Sequence, residues 1–158
     1  MATILVVDDD FRILDLLTDV LESESDHTVI AATNGREALQ RLRENHVDAV
    51  VCDVNMSVMN GIELVREMRS DTFLREMPVV MISALMHPED IDPDLDVDLL
   101  LEKPFDVKAL LASVSFVLGR VRAGATSARV TKRLAAWPVN LLARDIRRSA
   151  GSFAPATS

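Results

Sequence analysis

The sequence predicts a doubly wound α/β fold, a sheet of five parallel strands with helices on both faces. Continuous apolar runs, Ile4-Leu5-Val6-Val7, Ala49-Val50-Val51-Cys52, Val79-Val80-Met81-Ile82 and Leu99-Leu100-Leu101, read as strands buried on both sides. A strand with one wet face would alternate instead. Around these runs apolar residues recur at helical spacing. Each run also delivers a polar group at its end: Asp8-Asp9-Asp10, Asp53, Ser83, and Glu102 leading into Lys103-Pro104-Phe105.

Along the chain, Ile13, Leu14, Leu17, Val20 and Leu21 mark a buried helix face after the first strand. Gly35 to His46 reads as a shorter amphipathic helix with Ala38, Leu39 and Leu42 inward, and Asn60 to Ser70 as another with Ile62, Val65 and Met68 inward. His87 to Asp98 occupies the place of a fourth helix, but Pro93 falls inside it and costs about 3 kcal/mol in a helix interior; a short, irregular helix is expected. Val107, Leu110, Leu111, Val114, Val117 and Leu118 mark the last one. Five strands alternating with five helices give the flavodoxin-like arrangement with strand order 2-1-3-4-5.

If the strands are parallel, Asp8, Asp9, Asp53, Ser83 and Lys103 converge at one carboxyl edge, where open α/β sheets bind ligands. Two carboxylates about 4 Å apart at an effective dielectric near 20 repel by roughly 4 kcal/mol, so something must neutralise them. Mg²⁺ suits such a site, because it binds through one or two carboxylates plus phosphate oxygens and keeps several waters. Lys103 supplies a compact charge that can pair with a carboxylate or a phosphoryl oxygen. A single Asp at a strand end is ordinary turn chemistry. Five coordinated positions are not.

The ordered set resembles the receiver domain of two-component response regulators: the acidic pair, Asp53 followed by Asn55-Met56 and Met59-Asn60-Gly61-Ile62-Glu63-Leu64, then Ser83-Ala84, then Lys103-Pro104-Phe105. The resemblance covers residues 1 to about 120. It implies that Asp53 accepts a phosphoryl group from a sensor histidine kinase or a histidine phosphotransfer protein. It further implies that Asp9 ligates Mg²⁺ directly, Asp8 acts mainly through water, and Asp53 and the Asn55 backbone carbonyl complete the protein ligands. Lys103, Ser83, Ala84, Asn55 and Met56 would surround the phosphoryl oxygens, and the Lys103-Pro104 bond would be cis. Asn55 and Leu85 would flank the path of the hydrolytic water, and Leu85, lacking a polar atom, would slow self-dephosphorylation.

The chain departs from that pattern at three places. Ser57 stands where proline is usual, adding an N–H and a rotatable φ. Leu100 stands where an aromatic side chain usually turns inward on activation, and there is no Tyr anywhere in the chain. The third is the Pro93 segment.

The 158 residues suit one domain with a remainder, and no apolar run approaches the roughly 18 residues of a membrane span. A cytoplasmic protein is expected. Cys52, the only cysteine, reads as core. Residues 120–158 hold eight Lys or Arg against Asp145 alone, a balance of +7, whereas residues 1–119 carry −15. Such asymmetry signals attraction between the parts or toward an outside polyanion. Ala123 to Ser127 reads as a hinge, Val130, Leu134, Trp137 and Leu141 are spaced like one helix face that Pro138 interrupts or restarts, and Gly151 to Ser158 reads as disordered. The expected division is therefore a receiver over 1–120 and a basic, partly helical extension over 121–158. That extension could pack on its own domain, meet a downstream protein or a second copy, contact nucleic acid through residues 121–148, or bind an anionic membrane surface.

Two other function classes fit part of the pattern. A transcriptional response regulator would use the basic extension on DNA. A haloacid-dehalogenase-like phosphatase would use Asp53-Val54-Asn55 as its Asp-x-Asp, but Asn55 cannot serve as the general acid that chemistry needs. The sequence therefore favours a phosphoacceptor without enzymatic turnover beyond its own phosphorylation and dephosphorylation.

Overall fold

The structure is a computed structural model and describes residues 1–84 and 94–122. Strand β1 (Thr3–Val7) is followed by α1 (Phe11–Ser25), β2 (Thr28–Ala32), α2 (Gly35–Glu44), β3 (Ala49–Asp53), α3 (Gly61–Ser70), β4 (Val79–Ser83), β5 (Leu99–Glu102) and α4 (Val107–Arg122). All neighbours in the sheet pair in parallel, in the order β2-β1-β3-β4-β5. This is the expected topology. The order reverses between β1 and β3, which opens a crevice at the carboxyl edge between them.

Strand alternation divides the core into two layers. Leu5, Val7, Val50, Cys52, Val79 and Met81 face one way and pack with Ala38, Leu39 and Leu42 of α2 and Leu64, Val65 and Met68 of α3. Ile4, Val6, Ala49, Val51, Val80 and Ile82 face the other way and pack with Leu14, Leu17 and Leu21 of α1 and Leu110, Val114, Val117 and Leu118 of α4. Strands β3 and β4 are buried at every residue, as their unbroken apolar runs demand. The edge strand β2 is only half buried, so it carries no such run.

Each of the first three helices starts at a side-chain cap that accepts from a free backbone N–H. Asp10 accepts from Arg12, Asn34 from Glu37, and Asn60 from Glu63; Glu63 returns a bond to the Asn60 N–H and closes a capping box. Helix α2 stops at Glu44 rather than His46, and α4 runs on to Arg122, beyond the expected boundary at 120.

Four helices are described rather than five. Most of the expected fourth helix lies outside the described residues, and its remainder, 94–98, is a turn followed by irregular chain. A partly buried arginine fixes that stretch. Arg69 Nε donates to the Asp96 carbonyl at 2.8 Å and Nη1 to the carbonyls of Arg75 and Met77 at 3.0 and 2.8 Å. Asp98 Oδ2 accepts the Val79 N–H at 2.9 Å, which ties the approach to β5 to the start of β4. Burial pushes the Asp98 carboxyl above its ordinary value against the opposing pull of that backbone bond and of Arg69.

Candidate functional site

Strands β1, β3 and β4 end side by side, and their last side chains meet at the carboxyl edge. Lys103 Nζ, carried just beyond β5, donates to Asp53 Oδ1 at 2.7 Å and lies 3.8 Å from Asp8 Oδ2. The Lys103 backbone N–H donates to the Ser83 carbonyl at 2.8 Å, so the lysine is held at the end of β4. The Lys103–Pro104 peptide bond is cis. Asp8, Asp53 and Ser83 are all buried, while Asp9 and Asn55 are exposed at the rim. Ala84 is exposed at the end of β4. The structure thus brings together Asp8, Asp9, Asp53, Ser83, Ala84 and Lys103; Leu85 lies outside the described residues.

The loop from Val54 to Asn60 forms the wall of the site. The Asn55 N–H donates to Asp53 Oδ2 at 2.8 Å, which leaves the Asp53 carboxylate held at both oxygens. The Ser57 N–H donates to Asp9 Oδ2 at 3.1 Å. A proline at 57 could not make that bond. Met56, expected near the phosphoryl group, packs its side chain against the core layer of α2 and α3.

Two glycines let the loop close. The Gly61 N–H bonds the Val54 carbonyl at 2.9 Å, and a Cβ on Gly61 would collide with the Asp53 carbonyl oxygen. A Cβ on Gly35 would come within 2.6 Å of Met59 Cγ. Val58 adopts φ 69°, an uncommon conformation for a β-branched residue. Sequence reasoning singled out neither Val58 nor the tight approach at Gly61. Only the Gly61 position inside Met59-Asn60-Gly61 hinted at it.

Asp8 is the unsatisfied group of the site. Its Oδ1 accepts the Asp10 N–H at 2.9 Å, but buried Oδ2 has no hydrogen bond. Burial raises the Asp8 carboxyl above its ordinary value, the Asp10 N–H opposes this, and neighbouring Asp53 raises it further. Cys52 is fully buried behind Asp53, and burial pushes its thiol up, so it is core rather than a nucleophile.

A buried carboxylate oxygen without a donor, beside two more carboxylates, fits a hard divalent cation. Among the described residues no three acidic, His or Cys side chains stand ready to hold a metal by themselves. Mg²⁺ takes few carboxylates and completes its shell with water and other oxygens.

The match to known proteins follows the same residues. Residues 4–115 match the family model described as the response regulator receiver domain. The chain belongs to the response regulator receiver family. A transcriptional regulatory protein CpxR homolog of Haemophilus influenzae is 40% identical over 124 residues, covering 76% of this chain and 52% of that protein. The transcriptional regulatory protein PrrA of Mycobacterium tuberculosis is 35% identical over 146 residues, 91% of this chain and 61% of that one. Among solved structures, the chemotaxis response regulator CheY4 of Vibrio cholerae superposes with a TM-score of 0.69 at 31% identity, covering 74% of this chain and 98% of that one. This receiver therefore spans about half to three fifths of the length of these two curated relatives. No helix among the described residues is long and apolar enough to cross a membrane.

Proposed function

We propose that this receiver accepts a phosphoryl group on Asp53 from the phosphohistidine of a sensor kinase or phosphotransfer protein, in the presence of Mg²⁺, and thereby switches an interaction. The observation that carries the reading is the Asp53 carboxylate held at both oxygens, by Lys103 Nζ at 2.7 Å and the Asn55 N–H at 2.8 Å, at the mouth of an acidic pocket. A carboxylate oxygen of Asp53 attacks phosphorus; the P–O bond forms as the P–N bond breaks, and the imidazole nitrogen keeps the electron pair. Lys103 then exchanges its Asp53 contact for a phosphoryl oxygen, with Ser83 and the Ala84 N–H as further donors. Asp8, Asp9 and the Asn55 carbonyl would hold Mg²⁺ with Asp53, and the bound ion would neutralise charge on the phosphoryl oxygens. Asp8 Oδ2, which has no hydrogen bond, is the group with most to gain from the cation.

The reading assigns no turnover of outside substrates. Asn55 supplies no general acid next to Asp53, so only the receiver's own acyl phosphate is hydrolysed. Radiolabelled phosphoryl transfer from a phosphohistidine donor tests this: the label should require a divalent cation and should fall sharply in Lys103→Ala. Steady release of phosphate from a simple phosphate ester would instead support the phosphatase class.

A second reading concerns output. The relatives are transcriptional regulators by name, and the PrrA match extends over most of the chain. Nucleic acid binding through the basic residues after 121 is tested by a footprint that depends on Arg144, Arg147 and Arg148.

A further inference from the structure

The outer face of α1 is acidic, and among the described residues only its Glu22 is engaged, accepting the Val29 N–H at 3.2 Å. From residue 13 to 26 the chain carries Asp15, Asp19, Glu22, Glu24 and Asp26 and no Lys or Arg. Asp15, Asp19 and Glu22 recur at helical spacing and are exposed along one line. Among the described residues, none of the five acids forms an ion pair. The last turn of α1 has no basic residue, so its acids stand at the negative end of the helix dipole. Two large apolar side chains, Phe11 and Leu16, are 69% and 56% exposed on the same helix.

The same chain contains the complement. Residues 129–148 carry Arg129, Lys132, Arg133, Arg144, Arg147 and Arg148 against Asp145 alone, which gives +5 against the −5 of residues 13–26. Val130, Leu134 and Trp137 recur among them at the spacing of one helix face, and Leu141 continues the apolar content after Pro138 interrupts it. We propose that this basic segment docks along the outer face of α1 of its own chain, its arginines and lysine on the acids and its apolar stripe over Leu16.

Reach permits it. Helices α1 and α4 share one core layer through Leu14, Leu17 and Leu21 against Leu110, Val114, Val117 and Leu118. Both leave the carboxyl edge of a parallel sheet, so both end at its opposite edge. Packed helices lie about 8–10 Å apart, and the six residues between Arg122 and Arg129 can span up to about 20 Å. The other acidic stretch, 89–98, is a poorer host, because its Asp96 and Asp98 already face Arg69.

Trp137, the only tryptophan, reports the outcome without any label. In the full chain at low salt, acrylamide should quench Trp137 several-fold less than free tryptophan amide. High salt, or the pair Asp15→Lys with Asp19→Lys, should remove the protection while the far-ultraviolet spectrum stays unchanged. Arg129→Glu, Lys132→Glu and Arg133→Glu should do the same alone and restore protection when combined with the Asp15 and Asp19 changes. The proposal is overturned by a fully quenched Trp137 in the unmodified chain, or by protection indifferent to the Asp15 and Asp19 changes. Protection that grows with protein concentration overturns it in favour of a second copy, and protection that appears only with duplex DNA overturns it in favour of nucleic acid.

Discussion

At the scale of single residues, the site combines two kinds of cost. Val58 holds φ 69° with its side chain 75% exposed, so it strains the backbone and gains little from packing. The left-handed conformation costs a residue with a Cβ about 1–2 kcal/mol. Val58→Gly should therefore stabilise the protein by about 1 kcal/mol, after the entropic cost of a glycine, read as a higher urea midpoint. Lys103 represents the second cost, because it neutralises Asp53 and stands near Asp8 where a cation would also sit. Lys103→Met should tighten Mg²⁺ binding, tenfold for each 1.4 kcal/mol of repulsion removed, while weakening retention of the phosphoryl group. Titration calorimetry showing weaker Mg²⁺ binding in this variant would contradict that view of the lysine.

At the scale of elements, two junctions set the site and both can be tested. Gly61 starts α3 directly against the Asp53 carbonyl, so Gly61→Ala must push the helix or the strand end aside. Overpacking of this kind costs about 1–3 kcal/mol, and because the displaced atom belongs to Asp53, phosphorylation should slow as the thermal midpoint falls. At α2, Glu37 accepts from the Thr33 N–H at 2.9 Å and from its hydroxyl at 2.8 Å, and these bonds hold its carboxyl below the ordinary value of 4.5. A lowered value means the ionised form stabilises the fold: the contribution is complete above pH 4.5 and is lost as pH falls through the lowered value. Glu37→Gln should cost about 0.5–1 kcal/mol at neutral pH, and the difference from the unmodified protein should vanish in acid.

The elements also show what the sequence discloses. Strands β1, β3 and β4 are legible because burial on both faces requires unbroken apolar runs, and the same runs point to Asp8, Asp53 and Ser83 at their ends. The edge strand β2 leaves a weaker signature because only part of it is buried. The Ser57 bond to Asp9 joins residues 48 apart in sequence, and no local pattern encodes such a contact. The collision that reserves Gly61 is likewise tertiary, and so is the role of Arg69, whose partners lie on two separate stretches of chain, 75–77 and 96–98.

At the scale of the whole molecule, an acidic receiver of −15 is joined to a basic remainder of +7. The receiver contains Asp53, the acidic pair, the Ser83 hydroxyl and Lys103 on one sheet edge. The account as a whole stands on Asp53. Peptide mapping by mass spectrometry, after incubation with a small acyl phosphate and Mg²⁺, tests it directly. One phosphoryl group is expected, on the peptide that contains Asp53, absent from Asp53→Asn and absent when the cation is chelated. A phosphoryl group on any other residue, or one that persists in Asp53→Asn, would contradict the account.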